Sequence, residues 1–373
     1  MKHPKIKRRS PQTNFMRFFP PPAFLTMPAV GVDVSDKSIK FLQFERTKDG
    51  CKLTVFGDVD LKEGVVDGGE IKHTEQLVEA LSVAKERSGA SFARASLPEQ
   101  KAYFFTTKVP SSASHDQIIK ILEFELEEHV PLSPGEAIMD YDRVVENGLP
   151  TGDEIVVGVT VYPRATVMKY TDAFKRAGLF PLSLEIEAQA IERAIVPYGD
   201  MRTFMIIDLG ETSTGLSIVS NGMLTFTSTL DMAGSALTRI FMEELSLASS
   251  SDVAHVKNTI GITTNGTNET LTKKLRAVVE KLVEEIKRHR EYWETHEGEN
   301  NKKNTPIDMV FLCGGNANVK GLPEYMERVL DVSVRRANVW QNAFSINDTV
   351  PEMSFEVSLS YSTAIGLALR SDN

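Results

Sequence analysis

Three short segments carry residue types suited to holding a nucleotide. The first is the turn Asp33-Val34-Ser35-Asp36-Lys37-Ser38. An acid at the end of a strand can hold the water shell of a magnesium ion, because Mg²⁺ keeps several waters when it binds. The hydroxyls of Ser35 and Ser38 and the turn's backbone N–H groups can cradle phosphate, and Lys37 or Lys40 adds positive charge. Taken alone, the segment is also compatible with an ordinary polar β-turn. The second segment, Asp208-Leu209-Gly210-Glu211-Thr212-Ser213-Thr214-Gly215, repeats the theme. Asp208 follows the apolar run 204–207, Gly210 permits close backbone approach, and Thr212, Ser213 and Thr214 supply three hydroxyls. A tight hairpin with Ser and Thr in its turn would read the same way. The third is Cys313-Gly314-Gly315-Asn316, where a glycine pair lets backbone lie flat against a planar base or ribose.

The elements needed to position these segments are legible as an α/β pattern that starts at Ala29. Strands at 29–34 and 39–44 flank the first turn, and 51–61 alternates as a further strand. A helix over 75–88 places Leu77, Val78, Leu81 and Ala84 on one face, and a β-rich stretch follows at 102–109. Ile118, Leu122, Leu126 and Val130 recur every fourth residue, which predicts a helix over 115–130 with Ser114 as its N-cap and Pro131 as its stop. A hairpin-like pair, 138–145 and 154–162, is joined by the turn-rich 147–152. A helix over 164–177, closed by Gly178, is expected to complete a compact module inserted in the first domain. A helix at 184–197 precedes a second copy of the opening theme: strand 204–208, polar turn, strand 215–219, turn Ser220-Asn221-Gly222, strand 223–230. This internal strand–turn–strand repeat is the largest organising feature of the chain. Helices are expected at 236–245 and 271–296, the latter with Leu271, Leu275, Leu282, Ile286 and Trp293 facing a core. A strand at 307–312 runs into the glycine pair, and helices at 322–330 and 360–369 follow.

Composition narrows the function classes. The 373 residues hold 42 Lys+Arg against 51 Asp+Glu, a net charge of -9 that argues against a nucleic-acid binder. Cys51 and Cys313 are far apart and form neither a disulfide framework nor a metal spacing, so a reducing cytosol is the simplest setting. His289 and His296 have no third ligand beside them in sequence. No run approaches the ~20 apolar residues of a membrane span. Before Asp33 there is no acid, and Lys2, Lys5, Lys7, Arg8, Arg9 and Arg17 are interleaved with prolines and phenylalanines. That tail reads as a disordered proline-rich segment or as a basic-aromatic patch for an anionic membrane, with Met16 as an alternative start. The sequon Asn265-Gly266-Thr267 carries no meaning in a cytosolic chain.

In order and spacing, the Asp33 turn, the Asp208 turn and the Gly314-Gly315 loop resemble the phosphate 1, phosphate 2 and adenosine motifs of the actin-like ATPases. The helices at 184–196 and 360–369 resemble that superfamily's two connecting helices. The inserted module resembles the relocated subdomain shared by the FtsA and PilM families. Within that pair the chain is more similar to the PilM family of type IV pilus assembly proteins, from residue 30 to residue 369. The resemblance runs through Val109-Pro110, Ile121-Leu122-Glu123-Phe124-Glu125, His129-Val130-Pro131-Leu132, Met139-Asp140-Tyr141, 170–181 before Glu185, Ala233-Gly234-Ser235-Ala236-Leu237-Thr238-Arg239 and Glu285-Ile286-Lys287-Arg288.

That resemblance implies an α/β, actin/Hsp70-like (ribonuclease H-like) two-domain fold with a nucleotide cleft and an inserted βα subdomain. Its implied bounds are a tail at 1–28, domain I at 29–100, the insertion at 101–182 and a connecting helix at 183–200. Domain II would span 201–345, with a helical part at 233–300, and 346–373 would return to domain I. The implied cofactors are ATP and Mg²⁺. Asp33 and Asp208 would orient the magnesium shell, while Ser35, Lys37, Ser38, Gly210, Thr212, Ser213 and Thr214 would contact phosphates. Gly314, Gly315 and Asn316 would line the adenosine site, with Glu285 and Arg288 reaching the ribose or base. Glu187 stands where relatives polarise an attacking water, although a helical Glu is otherwise simply a good helix former. Many relatives have Gly at the position of Ser35, whose Cβ would hinder backbone approach to phosphate, so at most weak ATPase activity is expected. The implied role is a cytoplasmic scaffold, peripheral at the inner face of the membrane and with a homo-oligomer left open. It would grip the cytosolic N-terminal tail of a PilN-like inner-membrane protein. Two other roles share this core. A metabolic kinase needs a general base beside the γ-phosphate, for which Glu187 is the one candidate. An FtsA-like division protein ends in an amphipathic targeting helix after a linker, whereas this chain stops at Asn373, just past its last helix.

Overall fold

The computed structural model describes residues 28–370 apart from 48–49, 144–152, 233, 248–249, 258, 263–268, 297–302 and 346–348. The basic tail to residue 27, the 147–152 turn and the 265–267 sequon lie outside the described residues.

Two five-stranded sheets carry the duplicated strand–turn–strand theme. In the first, β1 (Ala29–Val34) pairs antiparallel with β2 (Ser38–Thr47), which pairs antiparallel with β3 (Gly50–Asp60). After a short hairpin, β4 (Val66–Asp67) and β5 (Glu70–Ile71), the strand β6 (Phe92–Leu97) joins β1 in parallel. A second, antiparallel sheet has the order β7 (Tyr103–Pro110), β9 (Glu154–Pro163), β8 (Ala137–Arg143). β10 (Phe180–Ile186) then returns to the first sheet beside β6. Domain II repeats the first arrangement. β11 (Phe204–Leu209) pairs antiparallel with β12 (Thr214–Ser220), and β12 with β13 (Met223–Leu230). β14 (Met309–Cys313) and β15 (Val334–Arg336) add in parallel on the other side of β11. The β12–β13 turn is tight because Asn221 and Gly222 both take left-handed φ, 53° and 73°, as a two-residue hairpin requires.

The helices are α1 (Thr74–Ser88), α2 (His115–His129), α3 (Arg164–Arg176), α4 (Glu187–Ile195), α5 (Gly234–Leu245) and α6 (Ser250–Lys257). They continue as α7 (Glu269–Thr295), α8 (Leu322–Leu330), α9 (Phe355–Ser358) and α10 (Ser362–Leu369). α4 packs against strands of both large sheets and crosses α10, which lies on β1. The crossing is close because Gly366 lets the backbone of α10 meet the carbonyl of Ala190 on α4 directly. No helix among the described residues is long and apolar enough to cross a membrane.

The three-stranded sheet and α2 have a core of their own, with Val109, Ile118, Leu122, Leu126, Val157 and Val159 buried in it. The start of α2 is specified locally. Ser114 accepts the Gln117 amide while the Gln117 side chain accepts the Ser114 amide, a reciprocal capping box. Ser114→Ala is therefore expected to cost about 1 kcal/mol. Faster hydrogen exchange confined to α2 is the measurement that checks it.

Three features differ from the sequence expectation. α3 does not belong to the module's core: Tyr170, Ala173 and Phe174 are buried in the main core, and the helix packs on α1 and β10. Residues 184–186 are strand rather than the first turn of a helix, since they pair with Ala95, Ser96 and Leu97 of β6. β6 itself was not foreseen, because Ala93-Arg94-Ala95-Ser96 lacks apolar alternation although all four residues are buried. In each case the deciding partner is distant in sequence.

Candidate functional site

A cleft of about 400 Å³ lies where the two phosphate-type turns, the glycine loop and the start of α4 meet. Asp33, Ser35, Lys37, Ser38, Glu187, Asp208, Gly210, Thr212, Ser213, Gly314, Gly315 and Asn316 all line it.

The first turn closes on itself. The Ser35 amide and hydroxyl both donate to the Ser38 carbonyl (3.0 and 2.9 Å), and the Ser38 amide donates to Ser35 Oγ (3.1 Å). Ser35 thus has its hydroxyl committed to the turn. Asp33, at the end of β1, accepts a 2.8 Å hydrogen bond from Ser96 Oγ, and Lys40 Nζ donates to Ser38 Oγ at 3.1 Å. Lys37 reaches outward to Glu63 at 3.7 Å, an exposed pair of little energetic weight.

The second turn and the glycine loop are pressed together. Gly314 has φ +81°, and a Cβ there would overlap the Asp208 carboxylate and the Leu209 carbonyl, so glycine is required on two counts. Asn316 Nδ2 donates to the Gly210 carbonyl at 2.9 Å and staples the loop to the turn. Thr214 does not reach the cleft: it is buried and its hydroxyl donates to the Met232 carbonyl at 2.6 Å.

Carboxylates converge on the floor. Burial, then repulsion from Asp33, pushes Asp208 up to about 6, against the pull of Lys40. Burial and Asp208 push Glu99 up to about 8. Glu187 is driven well above the ordinary carboxylate range by burial, then by Asp33, Glu99 and Asp208. One oxygen of Glu99 is buried with no hydrogen-bond partner. Such crowding of acids around an unpaired acceptor suits a cation. Among the described residues no three His, Cys, Asp or Glu are close enough to ligate a metal directly, so the donor set fits a hydrated ion bound through its waters.

The family model described as type IV pilus assembly protein PilM matches residues 31–372. The chain belongs to this family. The solved structure described as the PilM-PilN type IV pilus biogenesis complex is similar to it, with a TM-score of 0.75 at 18% identity, covering 92% of this chain and 98% of that one. The ethanolamine utilization protein EutJ from Carboxydothermus hydrogenoformans is similar at a TM-score of 0.51 and 14% identity, covering 91% and 89%. At such identities the likenesses concern the fold alone, which is α/β and actin-like.

This PilM-family chain brings further residues to the cleft that sequence reasoning did not single out as site residues. Lys257, at the end of α6, is buried and donates to Asn316 Oδ1 (2.6 Å) and Thr238 Oγ1 (3.0 Å), with the Glu211 carboxylate 3.8 Å away. Burial lowers its pKa, and Glu211 opposes that. Nothing local marks Lys257, whereas Thr238 lies within a stretch already similar to the family. Glu99 and Gln100 enter from a turn ahead of β7, and Gln100 Nε2 donates to Ser213 Oγ at 3.0 Å. Glu285 and Arg288 are placed elsewhere, paired with each other on α7 and absent from the cleft lining. Three residues apart on α7, they form a helix-surface ion pair.

A second cavity, of about 610 Å³, opens between β8, α4 and the Gly222 turn of domain II. Its wall includes Ile138, Met139, Tyr141, Thr160, Tyr162 and Val167. Glu185, almost fully buried, accepts both Arg193 (2.8 and 2.7 Å) and Arg370 (2.6 Å). Glu192 is pushed up to about 7 by burial, eased by Arg193, and burial also raises Asp142. The buried Thr160 hydroxyl has no hydrogen-bond partner. This cavity thus offers an apolar wall together with polar groups that a ligand would satisfy.

Proposed function

We propose that this PilM-family protein binds ATP with Mg²⁺ in the cleft and acts as a scaffold of a type IV pilus or related secretion platform. The second cavity holds the cytosolic N-terminal tail of a PilN-like inner-membrane protein. The observation that supports the nucleotide half is the convergence of two duplicated turns and the Gly314-Gly315 loop on one cleft. The tail is supported by the second cavity beside the inserted sheet and by the PilN partner in the similar solved structure.

Asp33 and Asp208 would hold the hydrated magnesium, and Gly210, Thr212, Ser213 and the Ser35–Ser38 turn would hold phosphates. Gly314, Gly315 and Asn316 would face the adenosine, with Lys257 supplying a buried positive charge nearby. Bound magnesium would neutralise phosphate charge. Glu187, whose carboxyl is held well above the ordinary range by burial and then by the neighbouring acids, would be the group facing an attacking water, with weak turnover expected. Nucleotide then acts as a conformational ligand by differential affinity for two domain arrangements. The protein is held at the inner face of the cytoplasmic membrane through its partner.

Titration of fluorescent peptides copied from cytosolic tails of PilN-like proteins, with and without MgATP, is the test. Saturable binding is expected, and it weakens when Thr160→Trp fills the cavity. Equal binding by that variant overturns the tail assignment, and phosphorylation of a sugar or acyl acid in parallel assays overturns the scaffold reading.

A further inference from the structure

We infer that Tyr170 is a positioning residue linking the first phosphate turn to the wall of the second cavity, so that the occupants of the two cavities sense each other. The inference rests on the nucleotide reading above and adds to it a route and a consequence.

The route consists of short hydrogen bonds between elements distant in sequence. Asp36, which lines the cleft, accepts the amides of Gly68 (3.1 Å) and Gly69 (3.2 Å) at the tip of the β4–β5 hairpin. The carbonyl of the same Gly69 accepts the Tyr170 hydroxyl at 3.1 Å. Tyr170 lies on α3, and Val167, three residues earlier and therefore on the same helix face, lines the second cavity. A buried tyrosine hydroxyl needs an acceptor wherever it sits. What gives this bond direction is that Gly69 is already holding Asp36.

A parallel route starts from the second turn. Ser213 accepts Gln100, whose turn follows directly on Leu97 and Pro98. The Leu97 carbonyl accepts the Tyr162 hydroxyl at 3.1 Å, and both Leu97 and Tyr162 line the second cavity. The hairpin tip also presses on this segment, since a Cβ on Gly69 would overlap the Pro98 ring. Phosphates arriving beside Asp36 bring like charge to a carboxylate whose other contacts are the hairpin amides. The hairpin therefore responds, and α3 moves with it. Two sites, a shared element and a differential contact are what coupling requires.

Hydrogen exchange on the full chain is the test, with MgATP as the probe. MgATP is expected to slow exchange in α3 and β8 at least about fivefold more than in α7, none of whose residues lines either cavity. Tyr170→Phe keeps the ring and is expected to retain the MgATP-induced rise in melting temperature while losing that excess slowing. Excess slowing that survives in Tyr170→Phe overturns the inference. So does a wild-type melting shift without excess slowing, which leaves the nucleotide reading intact. No melting shift in the wild type at millimolar MgATP overturns the nucleotide reading and the inference together. If Tyr170→Phe does not melt cooperatively, exchange at the Gly68 and Gly69 amides of the wild type decides instead, since these are the groups Asp36 accepts: MgATP must change it, and an unchanged rate beside a melting shift overturns the inference.

Discussion

Asp208→Asn is expected to leave the protein folded, somewhat more heat-stable without ligand, and unresponsive to MgATP. The two effects have opposite signs and a common cause. In the unliganded cleft the Asp208 carboxylate is crowded by Asp33 and desolvated, and its pKa stands at about 6 rather than 3.8. A carboxyl whose folded pKa is raised destabilises the fold when ionised: the penalty is absent below pH 3.8 and complete above about 6. A neutral isostere removes that penalty at pH 7. The same negative charge is what would hold the hydrated magnesium, so the ligand response disappears with it. For the wild type, ligand at a hundred times its Kd contributes about 2.7 kcal/mol, a shift of several degrees. Thermal melts of both proteins, with and without millimolar MgATP, decide the matter. An undiminished shift in the variant would remove Asp208 from the site.

Gly366→Ala is expected to be the most damaging single methyl in the chain. A Cβ there overlaps the carbonyl of Ala190 and comes within 3.0 Å of the Ala190 Cα, all backbone atoms of a helix that cannot give way. The crossing of α4 and α10 must open, which costs about 3 kcal/mol or more. A fall in melting temperature of about 4 °C or more corresponds to that cost in a chain of 373 residues. Because Glu187 on α4 and Ser362 and Thr363 on α10 line the cleft, the response to MgATP should shrink as well. The clash is with backbone, so Ala190→Gly is not expected to rescue it. Gly135→Ala, where an added Cβ meets nothing within 4 Å, is the matched control and should melt like the wild type. A Gly366→Ala melt within a degree of that control would refute the packing account.

Much of the fold was legible because its signals are local. The fourfold recurrence from Ile118 to Leu126 sets a helix face, Ser114 and Gln117 cap it, and Asn221-Gly222 turns a hairpin, each within a few residues. The duplication around Asp33 and Asp208 was legible for the same reason, and the two sheets repeat it strand for strand. Glu285 and Arg288 mark the limit of that approach. Similarity to a family stretch suggested that they reach the nucleotide, yet on α7 they pair with each other away from the cleft.

By itself the sequence determined the periodic elements, the two polar turns, the glycine pair and their order along the chain. Those depend on backbone preferences and side-chain spacing over a handful of residues. Tertiary structure alone decided that these segments share one cleft and that Lys257 and Glu99 join them. It also decided that α3 serves the main core and that β6 and β10 pair side by side. Each of these rests on contacts between residues tens to hundreds of positions apart, formed because burial and hydrogen bonding are satisfied in three dimensions. The raised carboxylates belong to the same class. Asp33, Asp208 and Glu187 were legible singly and Glu99 not at all, and only their convergence in a desolvated floor makes their shared charge costly and a cation its natural relief.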